Sequence, residues 1–204
     1  MALFTDRADA GRVLAACLAR WRGADAVVAG IARGGVVVAA AVARALELPL
    51  TAVAVRKLGV PGHEEFALGA IADGVRTVDE RIRRASRTSA AALAAVERRE
   101  RDVLRRRTAI VGAPDVAGRT VLLVDDGIAT GATANTAGRA IRAAGAARVI
   151  LAVPVAPSDW WPDPDAADDY VCAHPAAQFW AVGAFYDHFH ETTDEEIARI
   201  LDAG

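Results

Sequence analysis

The sequence VLLVDDGIATGAT, residues 121–133, determines the fold prediction for this chain. It begins with valines and leucines in an unbroken run, which is typical of a buried parallel strand. Two adjacent acids, Asp125 and Asp126, follow the run, and Gly127 and Gly131 then allow a tight turn whose backbone amides can approach a ligand closely. Because open α/β sheets bind ligands at the carboxyl ends of their strands, we expect a binding site at this turn.

The turn combines two chemical demands that one ligand must satisfy. Thr130 and Thr133 supply hydroxyl donors at the start of the next predicted helix, whose free amides and dipole favour a phosphate. The carboxylates of Asp125 and Asp126 would repel that phosphate, so we expect them to face sugar hydroxyls or Mg²⁺. A phosphorylated ribose meets both demands. A nucleotide-triphosphate loop needs a Gly-x-x-x-x-Gly-Lys-Ser/Thr pattern, and neither this turn nor residues 112–120 provide it.

Strand-like and helix-like segments alternate on both sides of the turn. Apolar, β-branched runs predict strands at residues 26–31, 51–55, 120–124 and 148–153, with further candidates at 67–72, 170–173 and 180–182. Helical periodicity predicts helices at residues 9–21, 36–46, 134–144 and 194–201. Glycine and proline predict a loop at residues 58–65 and a break in the alternation at 154–164. The alternation predicts an α/β fold built on a parallel sheet.

Composition and charge exclude several classes of protein. The 204 residues fit one domain, and 53% hydrophobic with only 5% aromatic residues indicates a largely aliphatic core. A formal net charge of −2 gives no overall attraction to nucleic acid or to an anionic membrane. Cys17 and Cys172 match no disulfide or zinc pattern, the N-terminus is not a secretory signal, and no apolar stretch is long enough to span a bilayer. We therefore expect a cytoplasmic protein.

The order of apolar run, two acids, small residues and Thr-Gly-x-Thr closely resembles the phosphoribosyl-pyrophosphate motif of the type I phosphoribosyltransferases. The similarity extends over nearly the whole chain, and especially to a subgroup of stand-alone bacterial phosphoribosyltransferase-like proteins. It implies a single domain, residues 1–204, with a three-layer fold in which helices flank a central, mainly parallel sheet. It also implies a mobile loop plus an Arg-rich helical insertion at residues 58–107 and a small hood on the acceptor side at 154–190.

The resemblance also implies roles for the residues of the turn. Asp125 and Asp126 would bind the ribose 2- and 3-hydroxyls of phosphoribosyl pyrophosphate (PRPP), and Asp126 would also approach the anomeric carbon. The residues expected to surround the ribose and the 5-phosphate are Gly127, Ala129, Thr130, Gly131, Ala132 and Thr133. The cofactor would be Mg²⁺, carried by the substrate near the two acids.

A second glycine turn follows the first predicted strand and precedes a helix, and it consists of Ala32, Arg33, Gly34 and Gly35. Its glycines and the helix N-terminus suit another anion, although an ordinary strand-to-helix turn is the alternative. The resemblance implies that it binds pyrophosphate, with Arg33 as a charged clamp. Arg56 and Lys57 follow the second strand, and the resemblance places such basic residues near the diphosphate. Lys57, the only lysine of the chain, is the third catalytic candidate beside the two acids.

Three other segments carry weaker signals. Residues 58–72 resemble a mobile loop that covers the site, with His63 and Glu65 as lid residues. Residues 79–107 contain ten arginines, and a solvated helix face is favoured over an anion-binding role. His188 and His190 have a His-x-His spacing but no evident third ligand, so a structural or exposed role is favoured over a metal site.

The predicted function is transfer of the 5-phosphoribosyl group from PRPP to an unidentified small-molecule acceptor, with release of pyrophosphate. The acceptor stays open between a purine, a pyrimidine, an amino sugar or another nucleophile. The alternative is a PRPP-binding regulatory protein without transferase activity. The near-neutral charge argues against nucleic acid as a partner. By analogy with the family we expect a homodimer, with the Arg-rich helix as a candidate interface.

Overall fold

The computed structural model describes residues 2–203, except for the side chain of Glu65. The helices are α1 (Arg7–Cys17), α2 (Gly34–Leu46), α3 (Glu80–Ala85), α4 (Ala90–Val111), α5 (Ala132–Ala143) and α6 (Asp194–Asp202). The strands are β1 (Ala26–Ala32), β2 (Leu50–Val60), β3 (His63–Ala72), β4 (Val75–Val78), β5 (Thr120–Val124), β6 (Arg148–Pro157) and β7 (Asp169–Ala176). Short 3₁₀ helices lie at Ala19–Trp21 and Val182–Phe185.

The strands form one seven-stranded sheet in the order β4-β3-β2-β1-β5-β6-β7. Strands β1, β2, β5, β6 and β7 pair in parallel, whereas β3 and β4 are antiparallel. Every residue of β1 is buried, as a strand at the centre of a covered parallel sheet requires. The mainly parallel sheet predicted from the sequence is confirmed.

Helices cover both faces of the sheet, so the fold has the three layers predicted. Neighbouring residues of a strand point to opposite faces, and Leu122 and Leu123 of β5 accordingly belong to different core clusters. Leu122 packs in the cluster that contains Val38 of α2, together with residues of α1. Leu123 packs in the cluster that contains Ile141 of α5. Burial of both faces of β5 holds this strand in the sheet and so fixes the position of the turn that follows it.

The last helix, predicted at residues 194–201, begins after a capping residue, Thr193. The Thr193 side chain accepts a hydrogen bond from the backbone N–H of Glu196, and the Glu196 carboxylate accepts one from the backbone N–H of Thr193. This reciprocal capping box stabilises a helix start by about 1 kcal/mol.

Residues 58–65 form the tip of a β-hairpin, so their prediction as a loop was wrong. Strand β2 continues to Val60 and β3 begins at His63, which leaves only Pro61 and Gly62 for the turn. Gly62 has φ +79°, a conformation that glycine adopts readily. The proline and glycine that suggested a loop supply the two-residue turn itself, while buried Leu58 and Val60 hold the strand to the core.

Two predictions for the C-terminal part were also wrong. Strand β6 runs through Pro154 to Pro157 instead of ending at Val153. Proline has no backbone N–H to donate to a neighbouring strand. Pro154 is tolerated in β6 because the pairing with β5 has already ended at Ala152. The candidate strand at residues 180–182 does not form, because Val182 begins a 3₁₀ helix.

The Arg-rich segment forms α3 and α4, and α4 has one buried and one solvated face. Leu93 and Leu104 are buried against the hairpin, and Arg101 pairs with Glu97 one turn away at 2.6 Å. Asp102 pairs with Arg105 on the same helix. Within residues 2–203, no helix combines the length and the apolar character needed to cross a membrane.

Candidate functional site

The two glycine turns predicted to bind anions meet at one edge of the sheet. Strands β1 and β5 are parallel neighbours, with Gly30 opposite Val124, so the turns that follow them emerge side by side. A Cβ atom on Gly34 would overlap Asp126 Oδ2, and one on Gly35 would lie 2.7 Å from the Val124 carbonyl oxygen. The pyrophosphate turn predicted after β1 therefore packs directly against the acid pair, and only glycine allows this approach.

Each acid has one carboxylate oxygen held by the protein. Asp125 Oδ1 accepts a hydrogen bond from the backbone N–H of Asp126 at 2.9 Å, and Asp126 Oδ2 accepts one from Arg7 Nε at 2.8 Å. The Tyr186 hydroxyl donates to the Asp126 carbonyl at 2.6 Å, which restrains the backbone immediately after the acid pair. The acids are thus oriented without a ligand.

Burial of Asp125 and Asp126 disfavours the ionised form of their carboxyl groups. It raises the pKa of Asp125 well above its ordinary value, and the neighbouring Asp126 raises that pKa further. The Asp126 backbone N–H and the charge of Arg7 act in the opposite direction. Burial also raises the pKa of Asp126, whereas Arg7 lowers it through charge and a hydrogen bond. Hydroxyl donors or a cation arriving at this site would stabilise the ionised carboxylates.

The turn between β5 and α5 has the form expected of a phosphate cradle. Gly131 precedes the first residue of α5 with φ +80°, so the chain turns sharply and presents the unbonded amides of the first helical turn. Ala129 and Thr130 are exposed at the rim. The indole ring of Trp160 lies where a Cβ on Gly131 would be, and it covers one side of the turn.

The turn between β1 and α2 places Arg33 immediately before the helix, with Gly34 and Gly35 as its first residues. The peptide bond between Ala32 and Arg33 is cis. The Arg33 guanidinium forms an ion pair with Glu191, whose side chain is 75% exposed. A carboxylate therefore contacts the cation that the sequence assigned to pyrophosphate.

Arg56 and Lys57 lie in the interior of β2, and successive side chains of a strand point to opposite faces. Arg56 donates through Nε and Nη2 to Glu100 Oε2 of α4, at 2.9 and 2.7 Å. Lys57 is opposite Ala70 in the hairpin. Of these two basic residues, Arg56 is therefore directed to the face that α4 covers, and Lys57 to the opposite face.

The lid residues lie at the exposed end of the hairpin. His63 is exposed, and its ring is 6.5 Å from the ring of Phe66, which is 68% exposed. Glu65 belongs to β3, and its side chain is outside the described residues. The hairpin therefore presents polar and aromatic groups near its tip, and the lid role stays a prediction.

Sequence reasoning missed Arg7, Tyr186 and Arg107. Arg7 and Tyr186 contact Asp126 although they are 119 and 60 residues from it in the sequence, and no local sequence pattern predicts such contacts. Arg107 is buried and donates to Asp194 at 3.3 Å. Burial lowers the pKa of Arg107, and although Asp194 opposes this, the charges of Arg56 and Arg33 lower it further. Arg107 thus lies close enough to Arg56, and to Arg33 in the turn that follows β1, for their charges to interact.

His188 and His190 lie outside regular secondary structure, and both are exposed. The described residues contain no group of three or more His, Cys, Asp or Glu side chains that could hold a metal ion. Asp125 and Asp126 offer carboxylate oxygens, the ligand type that Mg²⁺ prefers, but a complete set of ligands would need oxygens from a bound substrate.

Residues 7–188 match the family model of the phosphoribosyl transferase domain. The Mycobacterium tuberculosis protein named "Putative phosphoribosyl transferase Rv0571c" is 46% identical over 208 residues, which cover 99% of this chain and 47% of that protein. The chain thus spans about half the length of the curated relatives it matches.

Two solved structures have the same fold. TT1426 from Thermus thermophilus superposes with a TM-score of 0.73 at 40% identity, with 97% of each chain covered. A hypothetical protein from Neisseria gonorrhoeae with bound ppGpp has a TM-score of 0.50 at 16% identity, covering 100% of this chain and 98% of that one, and shows likeness of fold alone. With the family model matched over most of its length, the chain belongs to the phosphoribosyl transferase domain family.

Proposed function

We propose that this chain transfers the 5-phosphoribosyl group from PRPP to a small acceptor and releases pyrophosphate. The observation that carries the proposal is the packing of Gly34 against Asp126. This packing brings a basic glycine turn, an acid pair and a helix N-terminus together in that order at one edge of the sheet. PRPP presents a diphosphate, a ribose diol and a 5-phosphate in the same order. Membership of the phosphoribosyl transferase domain family supports the same donor.

In the proposed complex the 5-phosphate binds the amides and hydroxyls of the turn before α5. The residues that surround the ribose and its phosphate are Asp125, Asp126, Gly127, Ala129, Thr130, Gly131, Ala132 and Thr133. The diphosphate binds the turn formed by Ala32, Arg33, Gly34 and Gly35, with Arg56, Lys57 and Arg107 adding positive charge. The positively charged side chains and the helix N-terminus then contact the phosphate groups of the ligand, and the two carboxylates contact its ribose hydroxyls.

The proposed reaction is a direct displacement at the anomeric carbon. The lone pair of the acceptor attacks that carbon, its bond to the diphosphate oxygen breaks, and the diphosphate leaves with the bonding electrons. The acceptor loses a proton to the solvent or to a base, and the configuration at carbon inverts. The protein contributes positioning and charge neutralisation rather than a covalent nucleophile.

Magnesium would bind with the donor rather than as a resident ion. The carboxylate oxygens of Asp125 and Asp126 fit it as ligands, and the remaining ligands would be sugar and diphosphate oxygens. Bound there, the ion would neutralise part of the charge on the leaving diphosphate.

The acceptor is proposed to enter between the hairpin and the C-terminal hood, residues 154–190. Closure of the hairpin, with His63 and Glu65 in the lid, would keep water from attacking the anomeric carbon in place of the acceptor. Trp161 and Trp180 are 70% and 92% exposed, and such indole faces suit a planar acceptor ring.

The proposed activity is tested by a screen for pyrophosphate release. Mg-PRPP is supplied with purines, pyrimidines, amines and amino sugars, and Asp126→Asn is the matched inactive variant. We expect at least one acceptor to give release that depends on Asp126. Saturable PRPP binding without release for any acceptor would instead favour the regulatory alternative.

Replacing Glu191 is expected to strengthen binding of inorganic pyrophosphate. In the wild type, Arg33 must break its ion pair with Glu191 before it can bind pyrophosphate, whereas in Glu191→Gln there is no such pair to break. Because an exposed ion pair contributes up to about 1 kcal/mol, its removal is expected to raise the affinity for pyrophosphate by up to about fivefold. Calorimetry at low ionic strength measures the change. The control Glu47→Gln, which breaks the exposed pair with Arg22, is expected to have no effect. An unchanged or weaker affinity in Glu191→Gln would contradict the assignment of Arg33 to the diphosphate.

A further inference from the structure

The guanidinium group of Arg7 contacts Asp126 and is restrained by two hydrogen bonds and by one aromatic ring. Its Nε donates to Asp126 Oδ2 at 2.8 Å, and its Nη1 donates to the His190 carbonyl at 2.7 Å. The guanidinium carbon lies 3.9 Å from the centroid of the Phe189 ring. The Arg7 side chain is only 11% exposed, so these contacts are largely shielded from water. A planar group restrained in this way has one orientation.

The N-terminal segment and residues 185–190 together hold Arg7 in this position. Backbone hydrogen bonds join the N-terminal segment to the segment after the 3₁₀ helix, through Leu3 and Phe4 to Phe185, Asp187 to Phe4, and His188 to Thr5. Asp6 then caps α1, so that Arg7 is the first residue of this helix. The same C-terminal segment provides Tyr186 and His190, which contact Asp126 and Arg7 respectively. Contacts from two distant segments of the chain thus converge on one carboxylate.

The ion pair also determines which oxygen of Asp126 a ligand can reach. Oδ2 is hydrogen-bonded to Arg7, and Gly34 approaches both groups closely, since a Cβ on Gly34 would overlap Oδ2 and lie 2.7 Å from Arg7 Nε. The side-chain hydrogen bond to this carboxylate is made at Oδ2. Oδ1 is the oxygen that remains for a ligand.

We propose that Arg7 is the positioning residue of Asp126: it holds Oδ2 and thereby directs Oδ1 to a ribose hydroxyl of the donor. This inference rests on the proposed function, since it names the group that prepares the acid for PRPP. Arg7 then acts through Asp126 and does not touch the donor itself.

A double-mutant cycle separates this role from direct binding of the donor. The Kd for Mg-PRPP is measured for wild type, Arg7→Gln, Asp126→Asn and the double variant. We expect Arg7→Gln to weaken binding about tenfold to hundredfold, the range for a hydrogen bond to a charged group. In the Asp126→Asn background the same change is expected to alter Kd less than about twofold, because the carboxylate that Arg7 orients is gone.

Two further variants keep the test informative if Arg7→Gln folds poorly. Arg7→Lys retains the charge but loses the planar fork, so we expect an intermediate affinity. Phe189→Leu leaves both Arg7 hydrogen bonds and removes the aromatic face, so we expect a smaller loss in the same direction. Arg12→Gln is the matched control on the same helix, because it breaks only the exposed pair with Asp9.

The outcomes distinguish this inference from the proposed function. Additive losses in the cycle would overturn it in favour of direct contact between Arg7 and the donor. A fall in thermal stability with unchanged Kd would overturn it in favour of a structural role. In both cases a loss of affinity in Asp126→Asn would leave the proposed function standing, whereas unchanged affinity in Asp126→Asn would remove the site assignment itself.

Discussion

The double variant Asp125→Asn/Asp126→Asn is expected to bind Mg-PRPP at least about a hundredfold more weakly than the wild type. Two charge-assisted hydrogen bonds to the ribose diol are lost, each worth about 1.5–3 kcal/mol. The variant keeps the shape of both side chains, so steric fit of the donor is unchanged. Calorimetric titration in the presence of magnesium measures the loss. The control is Asp25→Asn, whose carboxylate is 96% exposed on the surface.

The same variant is expected to fold at least as stably as the wild type near neutral pH. The raised pKa values of Asp125 and Asp126 mean that the folded state binds protons more tightly than the unfolded chain. This contribution to stability is complete below the unfolded pKa of about 3.9 and is lost as pH rises through the raised folded pKa. The neutral amides avoid that loss. Chemical unfolding at about pH 8 should therefore give an equal or higher free energy of unfolding for the variant.

A variant that loses stability and affinity together would show that the acids hold the fold instead of the ligand. A variant that keeps the wild-type affinity would show that the ribose hydroxyls bind elsewhere. The combination of unchanged or greater stability with weaker binding is specific to a pair of acids placed for a ligand.

Gly131→Ala is expected to damage both the fold and the phosphate turn. Gly131 has φ +80°, which costs an alanine about 1–2 kcal/mol, and the added Cβ overlaps the Trp160 ring at a further cost of about 1–3 kcal/mol. We expect the free energy of unfolding to fall by about 3 kcal/mol in total. Displacement of the first turn of α5 should also weaken PRPP binding about tenfold to hundredfold, since small shifts of binding groups have effects of this size.

Gly118→Ala is the matched control for this prediction. Gly118 has φ +71°, but no atom lies within 4 Å of an added Cβ, so only the backbone cost of about 1–2 kcal/mol applies. Equal losses of stability in the two variants would show that Trp160 does not constrain the turn. Unchanged PRPP affinity in Gly131→Ala would show that the turn does not hold the 5-phosphate.

The strand, turn and helix around the acid pair could be predicted from sequence because each position meets a local requirement. The valines and leucines of β5 are buried, Gly131 has the positive φ of the turn, and α5 starts at Ala132, two residues before its predicted start. The second glycine turn could be located because it follows β1 in the same manner. Its contact with Asp126 depends on the pairing of β1 with β5, which follows from the rules for parallel sheets.

The contacts that complete the site have no comparable local pattern. Arg7 reaches Asp126 only because the N-terminal segment pairs with residues 185–188. Arg56 is read from sequence as one of a basic pair, yet it bonds to Glu100, because α4 packs on the hairpin. The hairpin was misread because proline and glycine occur both in loops and in two-residue turns, and only the burial of its strands distinguishes the two.

The central claim is the orientation of PRPP along the sheet edge, and a crystal structure of the complex with Mg-PRPP tests it most directly. The account predicts that the 5-phosphate binds the amides of residues 129–133, the ribose hydroxyls bind Asp125 and Asp126 Oδ1, and the diphosphate binds the turn at Arg33. Density for the donor in another cavity, or with its two phosphate ends reversed between these turns, would contradict the account.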